Sequence, residues 1–137
     1  MQTQLKKIGT NTTCPIAIII RDGSILMGHR HYTKTLSVWT CPGGRCDPEE
    51  IVEQALRREV KEEVGITDLK IEEYLGEVVG AKEGDRVPVF VCSSSQDFTL
   101  MEPEKFSEWK WVSFYEYRKK DFSPQVKKLV VDYISRL

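Results

Sequence analysis

The stretch from Glu50 to Val64 constrains this chain more than any other. Stepping about 100° per residue along a helix, Glu50, Glu53, Gln54, Arg57 and Lys61 fall on one arc, the face expected in solvent. Ile51, Val52, Ala55 and Leu56 lie opposite and predict the buried face. Glu59, Glu62 and Glu63 then fall in the middle of that buried arc. Their i, i+3, i+4 spacing makes the three side chains neighbours. Carboxylates crowded on an inward face repel one another, and taking one out of water without a partner is costly. Basic side chains or divalent cations can relieve this. Arg58 is the only basic residue near them on that side, one charge against three. Hard cations such as Mg2+ take carboxylate oxygens and complete their shell with water and phosphate oxygens. The residues therefore predict a divalent-cation site on the inner side of this helix, the alternative being an acidic helix that is merely solvated.

The surrounding segments predict a mixed α/β sandwich in one domain spanning residues 1–137. Ile16–Ile20 is β-branched and runs into Asp22-Gly23, a strong hairpin signal, which makes Ile25–Arg30 its partner strand. Trp39–Cys41 is a short extended piece ending in the loop Pro42-Gly43-Gly44. Asp47 is placed to cap the acidic helix, with Pro48 in its first turn and Gly65 as its stop. Leu69–Val79, Val87–Cys92 and Trp109–Val112 read as strands, with a charged turn over Ala81–Arg86. Ser123 and Pro124 open a last helix, on which Val126, Leu129, Val130, Tyr133, Ile134 and Leu137 form one apolar face. Helices covering a central sheet follow from this alternation.

Composition excludes several function classes. Twenty basic and 21 acidic side chains leave a net charge of −1, so no bulk field draws in nucleic acid or an anionic membrane. An anionic substrate must be held locally. The longest aliphatic run, Ile16–Ile20, is far too short to cross a bilayer. Residues 1–11 lack the apolar core of a secretory signal. Cys14, Cys41, Cys46 and Cys92 match no paired zinc spacing and are expected as reduced thiols in a cytoplasmic protein, a Cys41–Cys46 disulfide being the alternative. Beside the inward acids, the Gly43-Gly44 backbone can approach a ligand closely and wall the same site.

From Gly44 the chain reads Gly44, five residues, Glu50, seven residues, then Arg58-Glu59-Val60-Lys61-Glu62-Glu63-Val64-Gly65-Ile66. This resembles the Nudix box, over residues 44–66, at every specified position. Leu26–Arg30, Trp39 with Pro42-Gly43, and Trp109–Val112 resemble neighbouring Nudix positions more loosely. Asp47 and Glu49 depart from it, standing where many members carry Glu and Gly. The resemblance implies an α/β/α Nudix sandwich that hydrolyses a nucleoside diphosphate linked to a further group, with Mg2+ or Mn2+. By position it makes Glu59, Glu62, Glu63 and the Gly43 carbonyl metal ligands, with Glu59 alternatively the general base. Arg58 would orient the glutamates through a salt bridge such as one to Glu50, and Arg30 would face the phosphates. His29 and His31 have no nucleophilic partner and read as strand-end residues.

The substrate is less sharply marked. Glu102-Pro103-Glu104-Lys105 before Trp109-Lys110-Trp111-Val112 resembles small MutT-type members, which cleave nucleoside triphosphates to monophosphate and pyrophosphate. Glu102 or Glu104 would then add a carboxylate to the metal site. Gly44 and Glu104 are expected at the substrate, Trp39 and Cys41 at the border of the base, and Phe106 or Trp109 stacked on it. Core packing is the competing role for the tryptophans. A nucleotide sugar, ADP-ribose or a capped RNA end is the alternative substrate, and a non-catalytic nucleotide-binding module is the third possibility. No membrane partner is expected, and no nucleic acid beyond such an RNA end.

Overall fold

A computed structural model describes residues 1–120 and 123–137. In chain order the elements are α1 (Gln2–Lys6), β1 (Ile16–Arg21), β2 (Ser24–His31), β3 (Ser37–Thr40), α2 (Val52–Val64), β4 (Lys70–Val79), β5 (Arg86–Ser93), β6 (Phe106–Ser113), α3 (Phe114–Lys119) and α4 (Pro124–Ile134). The strands form one mixed sheet in the order β3-β2-β1-β5-β4, with β6 on the other edge of β2. Only the β1–β5 pairing among these is parallel. Asp22 and Gly23 both have positive φ (48° and 75°), the backbone a two-residue hairpin turn needs, and they join β1 to β2 as their sequence implies.

Alternation along β1 divides the interior in two. Ala17 and Ile19 face a cluster with Val52, Leu56, Val60 and Val64 of α2, whereas Ile18 faces a cluster with Tyr117 of α3 and Val126, Val130 and Ile134 of α4. Helices thus cover both faces of the sheet, the sandwich expected. Among the described residues no helix is long and apolar enough to cross a membrane.

Three local differences stand out. The acidic helix begins at Val52, not at Pro48. Pro48 and Glu49 instead form the centre of a turn in which the Glu50 N–H donates to the Asp47 carbonyl (3.0 Å). Glu49 has φ 67°, a left-handed conformation that no helix accommodates. Helices α1 and α3 were not expected, because each is about a turn and a half long and too short to show periodicity. Strand β6 starts at Phe106, three residues before the expected Trp109, because pairing with β2 extends it. All four cysteines are free thiols, and Cys41, Cys46 and Cys92 are buried.

Candidate active site

The site is assembled where the loop before α2 meets the second half of that helix. Pro42–Gly44 lies against the start of β1: the Ala17 N–H donates to the Pro42 carbonyl (2.8 Å) and the Gly44 N–H to the Pro15 carbonyl (3.2 Å). No side chain fits at Gly43, where backbone is in the way. A Cβ on Gly43 would stand 2.3 Å from the Pro15 carbonyl oxygen, and one on Gly44 would stand 2.5 Å from the Glu59 carboxyl carbon. The two glycines therefore let main chain touch the helix's acids.

Of the three glutamates, Glu63 is the most deeply placed, with 4% of its surface exposed. It accepts the Gly43 N–H at 3.0 Å. Burial pushes its carboxyl up to about 8; the Gly43 hydrogen bond opposes this, the charges of Glu59 and Glu102 add to it, and Arg30 counters it. Glu59 is half-buried and is also raised, chiefly by desolvation, with Arg58 pulling the other way. Glu62 differs from the expectation. Its side chain is 49% exposed, so it lies at the edge of the arc rather than inside it.

Arg58 accounts for much of this arrangement. Its Nε and Nη2 make a bidentate pair with Glu50 (2.8 and 3.0 Å). Nη1 reaches Glu59 Oε1 at 2.8 Å and Glu62 Oε2 at 3.3 Å, and Nη2 also donates to the Arg45 carbonyl at 2.9 Å. The pairing with Glu50 holds the Arg58 proton above its ordinary affinity and depresses the Glu50 carboxyl. Glu50, assigned by its helical angle to the solvated face, is instead turned inward. It lies before the helix, where wheel geometry has no meaning, and it also accepts the Asp47 N–H at 2.8 Å.

Glu59 and Glu63 open into a cleft of about 710 Å3, lined also by Arg30, Lys105, Lys82 and the hairpin residues Tyr32, Leu36 and Val38. Arg30 is held between two rings, its guanidinium carbon 5.1 Å from the Tyr32 centroid and 5.2 Å from that of Phe106. Its Nε is buried without a hydrogen-bond partner. From the 102–105 loop it is Glu102, half-buried and paired to Lys105 at 3.2 Å, whose charge acts on both Glu59 and Glu63. Glu104, expected at the substrate, is exposed.

Several expected aromatic contacts are absent. Trp39 pairs with His29 across β2–β3, whereas Val38 pairs with Arg30, so Trp39 points to the opposite face of the sheet. There it stacks on His29 (4.7 Å, planes 7° apart) beneath Lys110 and Lys120. Cys41 is buried in the α4-side core. Phe106 and Trp109 are buried against each other in the α2-side core, so neither can stack on a base. His29 is engaged by Ser37 and Ser107, and His31 is exposed at the strand end.

Sequence reasoning missed a pair that shapes the cleft. Arg45 binds Asp85 with two 2.7 Å bonds and fastens the 80–85 turn against the glycine loop. Forty residues separate the partners, and no local pattern announces such a contact.

The donors gathered here are carboxylate and carbonyl oxygens, which suit a hard divalent cation rather than a soft one. Among the described residues no three acids are already close enough to enclose an ion. Glu59 and Glu62 both turn to Arg58 Nη1, and Glu63 turns to the Gly43 N–H.

A family model described as the NUDIX domain matches residues 12–133. An RNA pyrophosphohydrolase of Erythrobacter litoralis is 30% identical over 114 residues, 67% of this chain and 69% of that protein. A CTP pyrophosphohydrolase of Escherichia coli is 42% identical over 60 residues, 43% of this chain and 44% of that protein. Among solved structures, a MutT NUDIX hydrolase from Burkholderia pseudomallei superposes with a TM-score of 0.60 at 28% identity, covering 82% of this chain and 88% of its own.

Proposed function

The chain belongs to the Nudix family, enzymes that hydrolyse pyrophosphate bonds, and from that premise we propose that residues 1–137 act as one domain on a nucleoside triphosphate in the cytoplasm, releasing monophosphate and pyrophosphate. Nudix hydrolases generally use divalent metal ions, and Mg2+ or Mn2+ is proposed here. The observation that carries the reading is Glu63, a buried carboxyl beside Glu59 and the glycine loop, in a cleft that also presents Arg30. An acid held so far from water has a use when positive charge arrives beside it.

Glu59 and Glu63, with Glu62 at the rim, Glu102 from the facing loop and the Gly43 carbonyl, would hold the cation. When bound, it would neutralise phosphate charge and make phosphorus more open to attack by water. Arg30, stiffened between Tyr32 and Phe106, binds phosphate oxygens, with Lys105 and Lys82 on the same cleft. Gly44 lets the phosphate chain come against backbone. In its alternative role Glu59, whose carboxyl burial raises, accepts the proton of the attacking water as the α–β anhydride bond breaks. Arg58 holds Glu59 and Glu50 in place and touches no substrate atom.

A second reading, hydrolysis at a capped or triphosphorylated RNA end, is supported by the similarity to the Erythrobacter RNA pyrophosphohydrolase. Phosphate and pyrophosphate release with MgCl2 across nucleoside triphosphates, nucleotide sugars, ADP-ribose and capped RNA tests the proposal. Fastest turnover of triphosphates supports it. Turnover of RNA ends alone selects the second reading, and nucleotide binding with no turnover of any substrate refutes both.

A further inference from the structure

Half of the cleft is not used by the chemistry above. Tyr32, Leu36 and Val38 line it with 58%, 53% and 39% of their surfaces exposed. Scattered singly, exposed apolar side chains need no explanation; three on one wall beside Arg30 mark a surface that a ligand covers. The composition of the rest of the cleft says how. Among the described residues that line it there is no Ser, Thr, Asn, Gln or His, and the one hydroxyl is that of Tyr32, whose ring lies under the Arg30 guanidinium. Arg45 and Asp85 are closed on each other, and the remaining charges belong to the acids or stand with Arg30, Lys82 and Lys105. Three N–H groups of the hairpin tip are engaged as well. The N–H groups of Tyr32 and Thr33 both donate to the Leu36 carbonyl (2.9 and 3.2 Å), and the Leu36 N–H donates to Thr33 Oγ1 (3.0 Å).

We propose that Leu36 and Val38, continuous with Tyr32, seat the nucleobase by apolar contact alone, so that the enzyme scarcely distinguishes one base from another. This rests on the triphosphate reading above and specifies its substrate class. A site that hydrogen-bonds a base edge rejects an analogue lacking the partner by about 10^4 to 10^5, whereas apolar contact separates ligands by only about 10- to 200-fold. This wall belongs to the second kind. A flat aromatic heterocycle loses little here, because its polar edge can stay toward solvent. A second sugar in the same place would lay hydroxyls against Leu36 and Val38 without acceptors, which is unfavourable.

The test compares kcat/KM for ATP, GTP, CTP and UTP with that for ribose 5-triphosphate, which has no base, in MgCl2, for the wild type and for Leu36→Ala/Val38→Ala. The four nucleotides are expected within about thirtyfold of one another. The double variant should raise KM for all four about tenfold and leave that for ribose 5-triphosphate nearly unchanged. A preference for one base beyond that range overturns the inference, as does a KM that rises equally with and without a base. Because the base series uses the wild-type protein, the inference is tested even if the variant folds poorly. If no triphosphate is turned over while another pyrophosphate-bonded compound is, the triphosphate reading itself falls and the base seat falls with it. That result is recognisably different from failure of the seat alone.

Discussion

Helices α2 and α4 cover the same sheet from opposite sides and are built on different terms. In α4, Ser123 accepts the Val126 N–H, Pro124 opens the first turn, and the buried residues are Val126, Val130 and Ile134. Nothing polar is buried from it. Helix α2 begins at Val52 behind Ile51, whose apolar side chain cannot cap it; the Gln54 side chain reaches back to the Ile51 N–H instead (3.0 Å). It buries Glu63 among its apolar residues, and its Arg58 holds Glu50, Glu59 and Glu62 together. One helix follows the rules that make a stable cover. The other breaks them near the cleft, where the proposed cation would sit.

Substitutions can sharpen or break that contrast. The largest effect belongs to Glu63→Gln, which keeps the side-chain volume and an acceptor for the Gly43 N–H but removes the charge. Steady-state assays should show kcat lowered at least about a hundredfold. On the α4 side, Ile134→Ala should lower unfolding free energy by about 2 kcal/mol in urea titration and leave kcat unchanged. A mirror-image result, with Glu63 silent in catalysis and Ile134 essential to it, would erase the distinction.

Linkage gives the next effect. In the cation-free protein Glu63 holds its proton up to about 8, while an ordinary glutamate releases it near 4.5. Between those values the native state binds more protons than the unfolded chain, so this group's contribution to stability falls as pH rises. Thermal melts in EDTA should show Glu63→Gln equal to the wild type near pH 4 and increasingly more stable toward pH 8. A variant that melts lower at pH 8 would make Glu63 a structural acid.

The smallest effects separate the two helix starts. Ser123→Ala should cost about 1 kcal/mol, the ordinary loss of an N-cap. Glu49→Gly, just before α2, should instead gain up to about 1 kcal/mol, because its left-handed φ strains any side chain. Chemical denaturation measures both, and the opposite signs are the prediction.

Where a side chain's role depended on its own segment, the residues were informative. The period of α2 located Glu63 and Glu59, and the Asp22-Gly23 turn located the first hairpin. Reading failed where placement depended on a partner distant in sequence. Trp39 and Val38 alternate, but only the β2–β3 register decides that Val38 shares Arg30's face. Glu102 and Glu104 stand two residues apart, and only the fold of their loop leaves Glu102 half-buried with its charge acting on Glu59 and Glu63 and Glu104 exposed. Glu62 satisfied the wheel, yet Arg58 at i−4 offers it a partner at the surface. The departure noted at Glu49 was a visible clue: a non-glycine there coincides with the left-handed turn that delays the helix.

The most direct test is a carbon-13 NMR titration of the Glu63 carboxyl in cation-free protein, repeated with MgCl2. The expected midpoint lies near 8 without the ion and falls markedly once magnesium is present. A midpoint near 4.5 that is indifferent to magnesium would contradict that expectation, because Glu63 would then be neither withheld from water nor near the cation.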